Sequence, residues 1–168
     1  MNKAFITVIS LLLLICDNDQ EHFFQMPLPF EHSEDVLCCP TIHNTSLIGK
    51  YYMEYARVPN EDIIYQESGM YEVADNSIYI SVKYDNKIII KNRKITKSSV
   101  GVIPYIEKMV LMLASDDFYS ICESNGNLII ETEMSYPDTD WGYSVTMTIS
   151  KTGEISYSYV DHDEGYMD

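Results

Sequence analysis

Apolar and polar residues alternate along most of the chain after residue 47, and this pattern predicts β-strands rather than helices. Apolar side chains occupy every second position between Ile78 and Tyr84, and the same pattern returns between Tyr143 and Ile149. A period of two puts successive side chains on opposite faces of a strand, so each strand is expected to bury one face. The pattern predicts about seven to nine short antiparallel strands and hardly any helix.

Turn residues separate these strands at near-regular intervals. Asp85-Asn86, Asn125-Gly126 and the run from Lys151 to Glu154 each lie between two alternating segments. Asn-Gly is a strong hairpin signal, because both central residues of the favoured turn need positive φ. A chain of many short antiparallel strands is all-β, and it either closes into a barrel or divides into a sandwich.

The two ends of the chain differ from this β region. Residues 1–16 contain Lys3 and then an apolar run too short to span a bilayer, which is typical of a secretory signal peptide. Residues 17–37 are acidic and without period, as in a flexible extension, and residues 161–168 form an acidic tail. We therefore expect a single domain over residues 38–160, secreted to the extracellular space and without membrane insertion.

Acidic residues greatly outnumber basic ones. The chain has 26 Asp and Glu against 11 Lys and Arg, a formal net charge of −15. Because nucleic-acid affinity depends on cations that neutralise phosphates, this balance argues against a nucleic-acid partner. It favours solubility, and secondarily the attraction of a cationic ligand or a basic partner protein.

Signals for catalysis are weak. The histidines, His22, His32, His43 and His162, do not pair at metal-ligand spacing, and no phosphate loop, dinucleotide turn or Gly-x-Ser-x-Gly motif occurs. We therefore predict a protein that is not an enzyme and has no metal site and no cofactor.

Three cysteines and one sequon bear on a secreted protein. Cys38 and Cys39 are neighbours, and a bond between them would close a strained ring, so in an oxidising compartment one of the two is expected to pair with Cys122. Asn44-Thr45-Ser46 is an N-glycosylation sequon, which makes Asn44 the predicted glycosylation site.

Several motifs stand in an order that resembles the lipocalins, in particular the branch that includes apolipoprotein D. Cys39-Pro40 precedes a strand that Gly49-Lys50-Tyr51 opens, where the family has Gly-x-Trp, and that strand ends in a turn at Pro59. Residues 113–117 resemble the family's Thr-Asp-Tyr turn, and Cys122 follows on the next strand. The resemblance covers roughly residues 38–60 and 109–124.

The resemblance implies a single antiparallel up-and-down β-barrel that carries a small hydrophobic ligand, such as a fatty acid, a retinoid or a sterol. Gly49 and Tyr51 would close the barrel floor, with the Tyr51 ring buried and its hydroxyl bonded to a backbone carbonyl or a water, and Cys39 would pair with Cys122. Alternation along the strands then predicts an inward, ligand-lining set made of Met53, Tyr55, Ile80, Val82, Leu111, Leu113, Val145 and Met147.

A second hypothesis belongs to a different class. The chain would be a secreted β-rich interaction or immune-modulatory protein that binds a protein receptor through its outer surface. Cavity volume discriminates the two, because an enclosed apolar pocket favours a carrier and a filled core favours the interaction protein.

Overall fold

A computed structural model of the chain describes residues 23–65, 72–113, 121–137, 139 and 141–161. Short helical segments are confined to α1 (Lys97–Val100) and a 3₁₀ turn at Ile106–Lys108 in this part of the chain. The prediction of an all-β protein is therefore confirmed. Its strands are β1 (Val36–Leu37), β2 (Ile42–Ile48), β3 (Tyr51–Tyr65), β4 (Glu72–Tyr84), β5 (Lys87–Ile95), β6 (Val110–Leu113), β7 (Ile121–Ser124), β8 (Asn127–Ser135), β9 (Gly142–Ile149) and β10 (Ile155–Asp161).

The predicted hairpin turns form where the turn residues stand. Asp85 and Asn86 connect β4 to β5 with φ values of 50° and 63°, and Asn125 and Gly126 connect β7 to β8 with 50° and 76°. Positive φ at both central residues is the condition for the turn type that matches the twist of an antiparallel pair. These two predictions are confirmed.

The strands of the described residues are arranged in two five-stranded sheets. In the first sheet β3 lies between β2 and β4, and the far edge of β4 is shared by β1 and β5. In the second sheet β9 lies between β8 and β10, and the far edge of β8 is shared by β6 and β7. The only parallel pair is β1 with β4, among the strands that the structure describes.

This arrangement differs from the expected single up-and-down barrel. In such a barrel the strand after β5 would pair with it, whereas both β6 and β7 pair with β8, and β5 pairs with β4 in the described part of the chain. The segment after β5 contains α1 and the 3₁₀ turn instead of a tight hairpin, so it carries the chain from the first sheet to the second. The described residues show two sheets and no single closed barrel.

The core lies between the inner faces of the two sheets. Alternation places one apolar set of each strand inward, and these side chains form one cluster. Burial of a side chain of this size contributes about 1.5–3 kcal/mol. Members of the cluster are Tyr51, Met53 and Tyr55 of β3, Ile78, Ile80 and Val82 of β4, Leu128, Ile130 and Met134 of β8, and Tyr143, Val145, Met147 and Ile149 of β9.

Residues 23–37, expected to be a flexible extension, contact the first sheet. The Phe30 N–H donates to the Pro59 carbonyl at 3.1 Å, and the His32 ring nitrogen lies 2.6 Å from the Asn60 carbonyl. The Phe24 ring stacks on His43 with centroids 5.2 Å apart. The predicted signal peptide (residues 1–16) and nearly all of the acidic tail lie outside the described residues, and no described helix has the length and apolarity to cross a bilayer.

Candidate functional site

Seven of the eight side chains expected to line a ligand cavity are buried in the core between the sheets. Each is at most 1% exposed, and all seven belong to the same cluster. The eighth, Leu113, has a backbone paired with Thr132 in β6–β8, and its side chain lies outside the described part. The sequence therefore brings together the interior set as predicted, but as mutually packed residues: Met53, Tyr55, Ile80, Val82, Leu111, Val145 and Met147.

Tyr51 has the buried ring and the carbonyl-bonded hydroxyl that were expected, but the described residues form no closed barrel whose floor Gly49 and Tyr51 could close. Its side chain is fully buried, and its hydroxyl donates to the Gly126 carbonyl oxygen at 2.9 Å. Gly49 lies in the turn before β3 with a φ of +57°, and the Glu123 carboxylate lies close to it. Burial raises the pKa of the Tyr51 hydroxyl, and the neighbouring Tyr84 and Glu123 raise it further.

The Cys39–Cys122 disulfide that the resemblance implies is not formed, and both residues are thiols in the described chain. Cys39 packs on Ile64, Val73 and Val110, before the start of β2. Cys122 lies on β7, next to Glu123. The Glu123 carboxylate lies close to Gly49, which follows the end of β2, so Cys39 and Cys122 lie near opposite ends of that strand. A strand of this length spans roughly 20 Å, which exceeds the Cα separation of any disulfide.

Asn44, the predicted glycosylation site, lies in the middle of β2 opposite Tyr55. It is half-buried, on the face of β2 that alternates with the exposed positions. The sequon therefore stands in a regular strand of the first sheet.

A groove of about 620 Å³ opens where the edge strands β5 and β10 of the two sheets face each other. Its volume lies within the range of about 300–1,000 Å³ typical of small-molecule sites. None of the seven buried side chains lines it. Its lining residues are Ile89, Ile90, Lys91 and Arg93 of β5, Ser99 of α1, Gly153 of the β9–β10 turn, and Ile155 and Tyr157 of β10.

The groove exists because two inward faces are left uncovered at this seam. Arg93 pairs with the buried Ile80, and Tyr157 pairs with the buried Met147, so both side chains point to the inner side of their sheets. Arg93 is nevertheless exposed and Tyr157 is half-buried. An inward-facing residue of an edge strand is accessible to solvent only where the opposite sheet does not cover it. The groove lies at such an uncovered part of β5 and β10.

An irregularity in the pairing of β5 determines the direction in which its basic side chains point. The pairing register of β4 and β5 shifts between Val82 and Ile80, and Asn92 in this interval has a φ of 46°. The Asn92 N–H donates to the Ser81 hydroxyl at 2.8 Å, which fixes the distortion. β-Bulges bend a strand and redirect its side chains, and here Lys91 and Arg93, on either side of Asn92, both line the groove.

The groove is cationic in a strongly acidic chain. Residues 83–97 contain six bases and one acid, although acids outnumber bases 26 to 11 overall. Lys91 and Arg93 line the groove, and no acidic residue of the described chain does. Burial raises the pKa of the Tyr157 hydroxyl above its ordinary value of 10.0, against an opposing effect of Arg93. Tyr157 is therefore a protonated donor at neutral pH.

The described lining of the groove is suited to binding an amphiphilic molecule. It combines apolar walls (Ile89, Ile90 and Ile155) with two basic side chains and two hydroxyls. No three metal-ligating side chains come together among the described residues. Sequence reasoning missed this site, although the run of bases within an acidic chain was a readable signal.

Comparison with known proteins identifies no family for this chain. The chain matches no protein-family model, and it matches no curated protein significantly. Among solved structures it is similar to WHY1 from Arabidopsis thaliana, with 12% identity over 73% of this chain and 79% of that chain and a TM-score of 0.22. A TM-score of that size carries no argument about the fold or the function of this chain.

Proposed function

We propose that the protein is a carrier of a small amphiphile, an apolar molecule with an anionic head group such as a fatty acid, held in the groove between β5 and β10. The observation that carries the proposal is the described lining of this groove: its charged side chains, Lys91 and Arg93, are both basic and lie beside apolar side chains, in a chain with a net charge of −15. The seven interior side chains pack together in the core, and a filled core argues against a ligand held inside the protein. The proposal therefore places the ligand in the open groove at the seam of the sheets, and the lipocalin resemblance implies the same ligand class.

The energetics of such a ligand follow from the two kinds of lining. Each buried methylene of an apolar tail contributes about 0.8 kcal/mol, and the tail would lie on Ile89, Ile90 and Ile155. A hydrogen bond to a charged group contributes about 1.5–3 kcal/mol, and Arg93 would supply it to a carboxylate. The tail therefore provides affinity, and the cations select an anionic head group.

On this proposal, the closed barrel expected from the sequence is the conformation that the protein adopts when the ligand is bound. Both groove-lining strands have an edge that faces the opening, since β5 pairs with β4 and β10 pairs with β9 in the described sheets. A ligand that contacts both walls would draw β5 and β10 together and extend the sheet around it. The barrel is thus a state of the complex in this proposal.

Titration calorimetry with oleate and with oleyl alcohol tests the proposal, because the two probes share a tail and differ in charge. Arg93→Gln should weaken oleate roughly tenfold or more and leave oleyl alcohol nearly unchanged. Lys94→Gln removes the same charge from the neighbouring position of β5, outside the groove, and should change neither affinity substantially. Ile155→Ser should weaken both probes.

Two results would contradict the proposal. One is the absence of saturable binding of either probe to the wild-type chain. The other is an equal effect of Arg93→Gln and Lys94→Gln on oleate, since that would show only a general response to net charge.

A further inference from the structure

Aromatic side chains cluster at the end of the second sheet where β8 ends and β9 begins. The rings of Tyr105, Tyr136, Trp141 and Tyr159 are here called the aromatic patch. Tyr105 and Tyr136 contact Trp141, and both Trp141 and Tyr159 contact the buried ring of Tyr143. Tyr105 is 57% exposed and Tyr159 44% exposed, and Tyr136 and Trp141 are half-buried. Large aromatic rings left accessible in this way are typical of binding surfaces.

Hydrogen bonds fix the loop that carries two of these rings. The Tyr136 N–H donates to the Trp141 carbonyl at 3.0 Å, the Thr139 hydroxyl donates to the Tyr136 carbonyl at 3.0 Å, and the Trp141 N–H donates to the Thr139 hydroxyl at 3.1 Å. These bonds hold Tyr136, Thr139 and Trp141 in position relative to one another, which lowers the entropic cost of binding a partner there.

The backbone of Tyr105 has an unusual conformation. Its φ and ψ are 57° and 19°, in the left-handed region that a bulky residue seldom adopts. Its ring meets the Trp141 ring edge-on, with centroids 5.6 Å apart. Such a conformation persists only where its surroundings enforce it, and here it holds an exposed ring against Trp141 instead of in the core.

The chain segment that supplies three of the four rings of the aromatic patch is strongly acidic, which favours a cationic partner. Residues 121–168, which supply β7–β10 and three of the four rings, contain ten acids and one base. Lysine and arginine cations bind over aromatic faces within about 6 Å of the centroid. Rings elsewhere in this chain accept such cations, because Lys83 Nζ lies 4.3 Å from the Phe23 centroid and Lys151 Nζ lies 5.7 Å from that of Tyr84.

The spacing of the rings fits an extended segment. Within the aromatic patch, the Trp141 centroid lies 5.6 Å from that of Tyr105 and 5.7 Å from that of Tyr136. Alternate side chains of an extended peptide point the same way at intervals of roughly 6.6 Å. We propose that the aromatic patch binds an extended arginine- and lysine-rich segment of a partner protein. None of the four residues of the aromatic patch is among the described residues that line the groove between β5 and β10.

Trp141 supplies a local reporter, because it is the single tryptophan of the chain. Titration with a peptide of alternating arginine and serine should give a saturable change in its emission, and calorimetry should give the same affinity. Tyr105→Ala and Tyr136→Ala should each weaken binding roughly three- to tenfold, as expected for one lost cation–π contact. Tyr79→Ala removes a half-buried tyrosine of the first sheet and should leave the affinity unchanged.

The matched probes decide between this proposal and its competitors. A peptide of alternating glutamate and serine should not bind, and replacing arginine by lysine should weaken binding, because a guanidinium stacks better on a ring. Equal calorimetric affinity of the wild type and both patch variants would overturn the proposal, since it would indicate general attraction to an acidic protein. A Trp141 response to neutral oligosaccharides but not to the basic peptide would overturn it as well.

Discussion

The ammonium group of Lys97 lies 3.1 Å from Oδ2 of Asp75, and the Asp75 side chain is 1% exposed. Oδ1 of the same carboxylate accepts hydrogen bonds from the Leu111 N–H at 2.9 Å and the Asn76 N–H at 2.8 Å. Lys97 also donates to the Met109 carbonyl at 3.1 Å. Since Asp75 belongs to β4 of the first sheet and Leu111 to β6 of the second, the Asp75 carboxylate joins the two sheets, and Lys97 neutralises its buried charge.

Removal of the Lys97 charge should destabilise the protein strongly. Lys97→Met leaves the Asp75 carboxylate buried without its cation, and breaking a buried pair in this way costs about 3–5 kcal/mol. Lys50→Met is the matched control, because Lys50 and Asp85 form a pair at 3.6 Å whose side chains are 61% and 65% exposed. Such a pair contributes at most about 1 kcal/mol. Urea unfolding of both variants measures the difference, and equal losses would contradict the neutralising role of Lys97.

The Tyr51 side chain should contribute through both its ring and its hydroxyl. Tyr51→Ala should cost about 3–5 kcal/mol, as for a large buried aromatic residue. Tyr51→Phe should cost about 0.5–1.5 kcal/mol, because the part-buried Gly126 carbonyl loses its donor. Tyr52→Ala, on the opposite face of β3, should cost much less. Similar values for Tyr51→Ala and Tyr52→Ala in denaturant unfolding would contradict the inward position of Tyr51.

Stability should fall at alkaline pH. The pKa values of Tyr51 and Tyr157 are raised above their ordinary value of 10.0, chiefly by burial. Above about pH 10 these phenols therefore ionise in the unfolded chain before they ionise in the folded one, which lowers the free energy of unfolding; below that pH their contribution is constant. Urea midpoints between about pH 8 and pH 11 measure the effect. Tyr51→Phe should show a shallower decline, and an unchanged slope in that variant would contradict the assignment.

Ligand binding should protect the open edges of the seam from hydrogen exchange. The groove is lined by β5 and β10, so oleate should slow amide exchange in these two strands more than in β2, which lies away from it. Exchange with and without oleate, followed by mass spectrometry, makes the comparison. Equal protection of all strands would indicate general stabilisation, and protection confined to another region would place the ligand elsewhere.

The sequence by itself determined most of the strands, their turns and their inward faces. Period-two alternation decides which side chains of a strand share a face, and for this reason the pattern alone identifies Met53, Tyr55, Ile80 and Val82 as interior residues. Turn residues with positive φ are likewise a local property, so the Asn125-Gly126 hairpin was predictable. β2 was missed because its inward positions, such as Asn44 and Ser46, are polar and give no alternation of hydrophobicity.

Only the tertiary structure decided how the strands are grouped. Alternation carries no information about which strands pair, so a barrel and two packed sheets give the same hydrophobic pattern. The two folds differ in the connection from β5 to β6, which here passes through α1 and leads from the first sheet to the second. The candidate site depends on that choice. In the sequence, nothing distinguishes Arg93 and Tyr157 from other strand residues. They line the same groove because β5 and β10 are edge strands of different sheets that face each other. Their proximity comes from long-range packing, which neither residue's local sequence encodes.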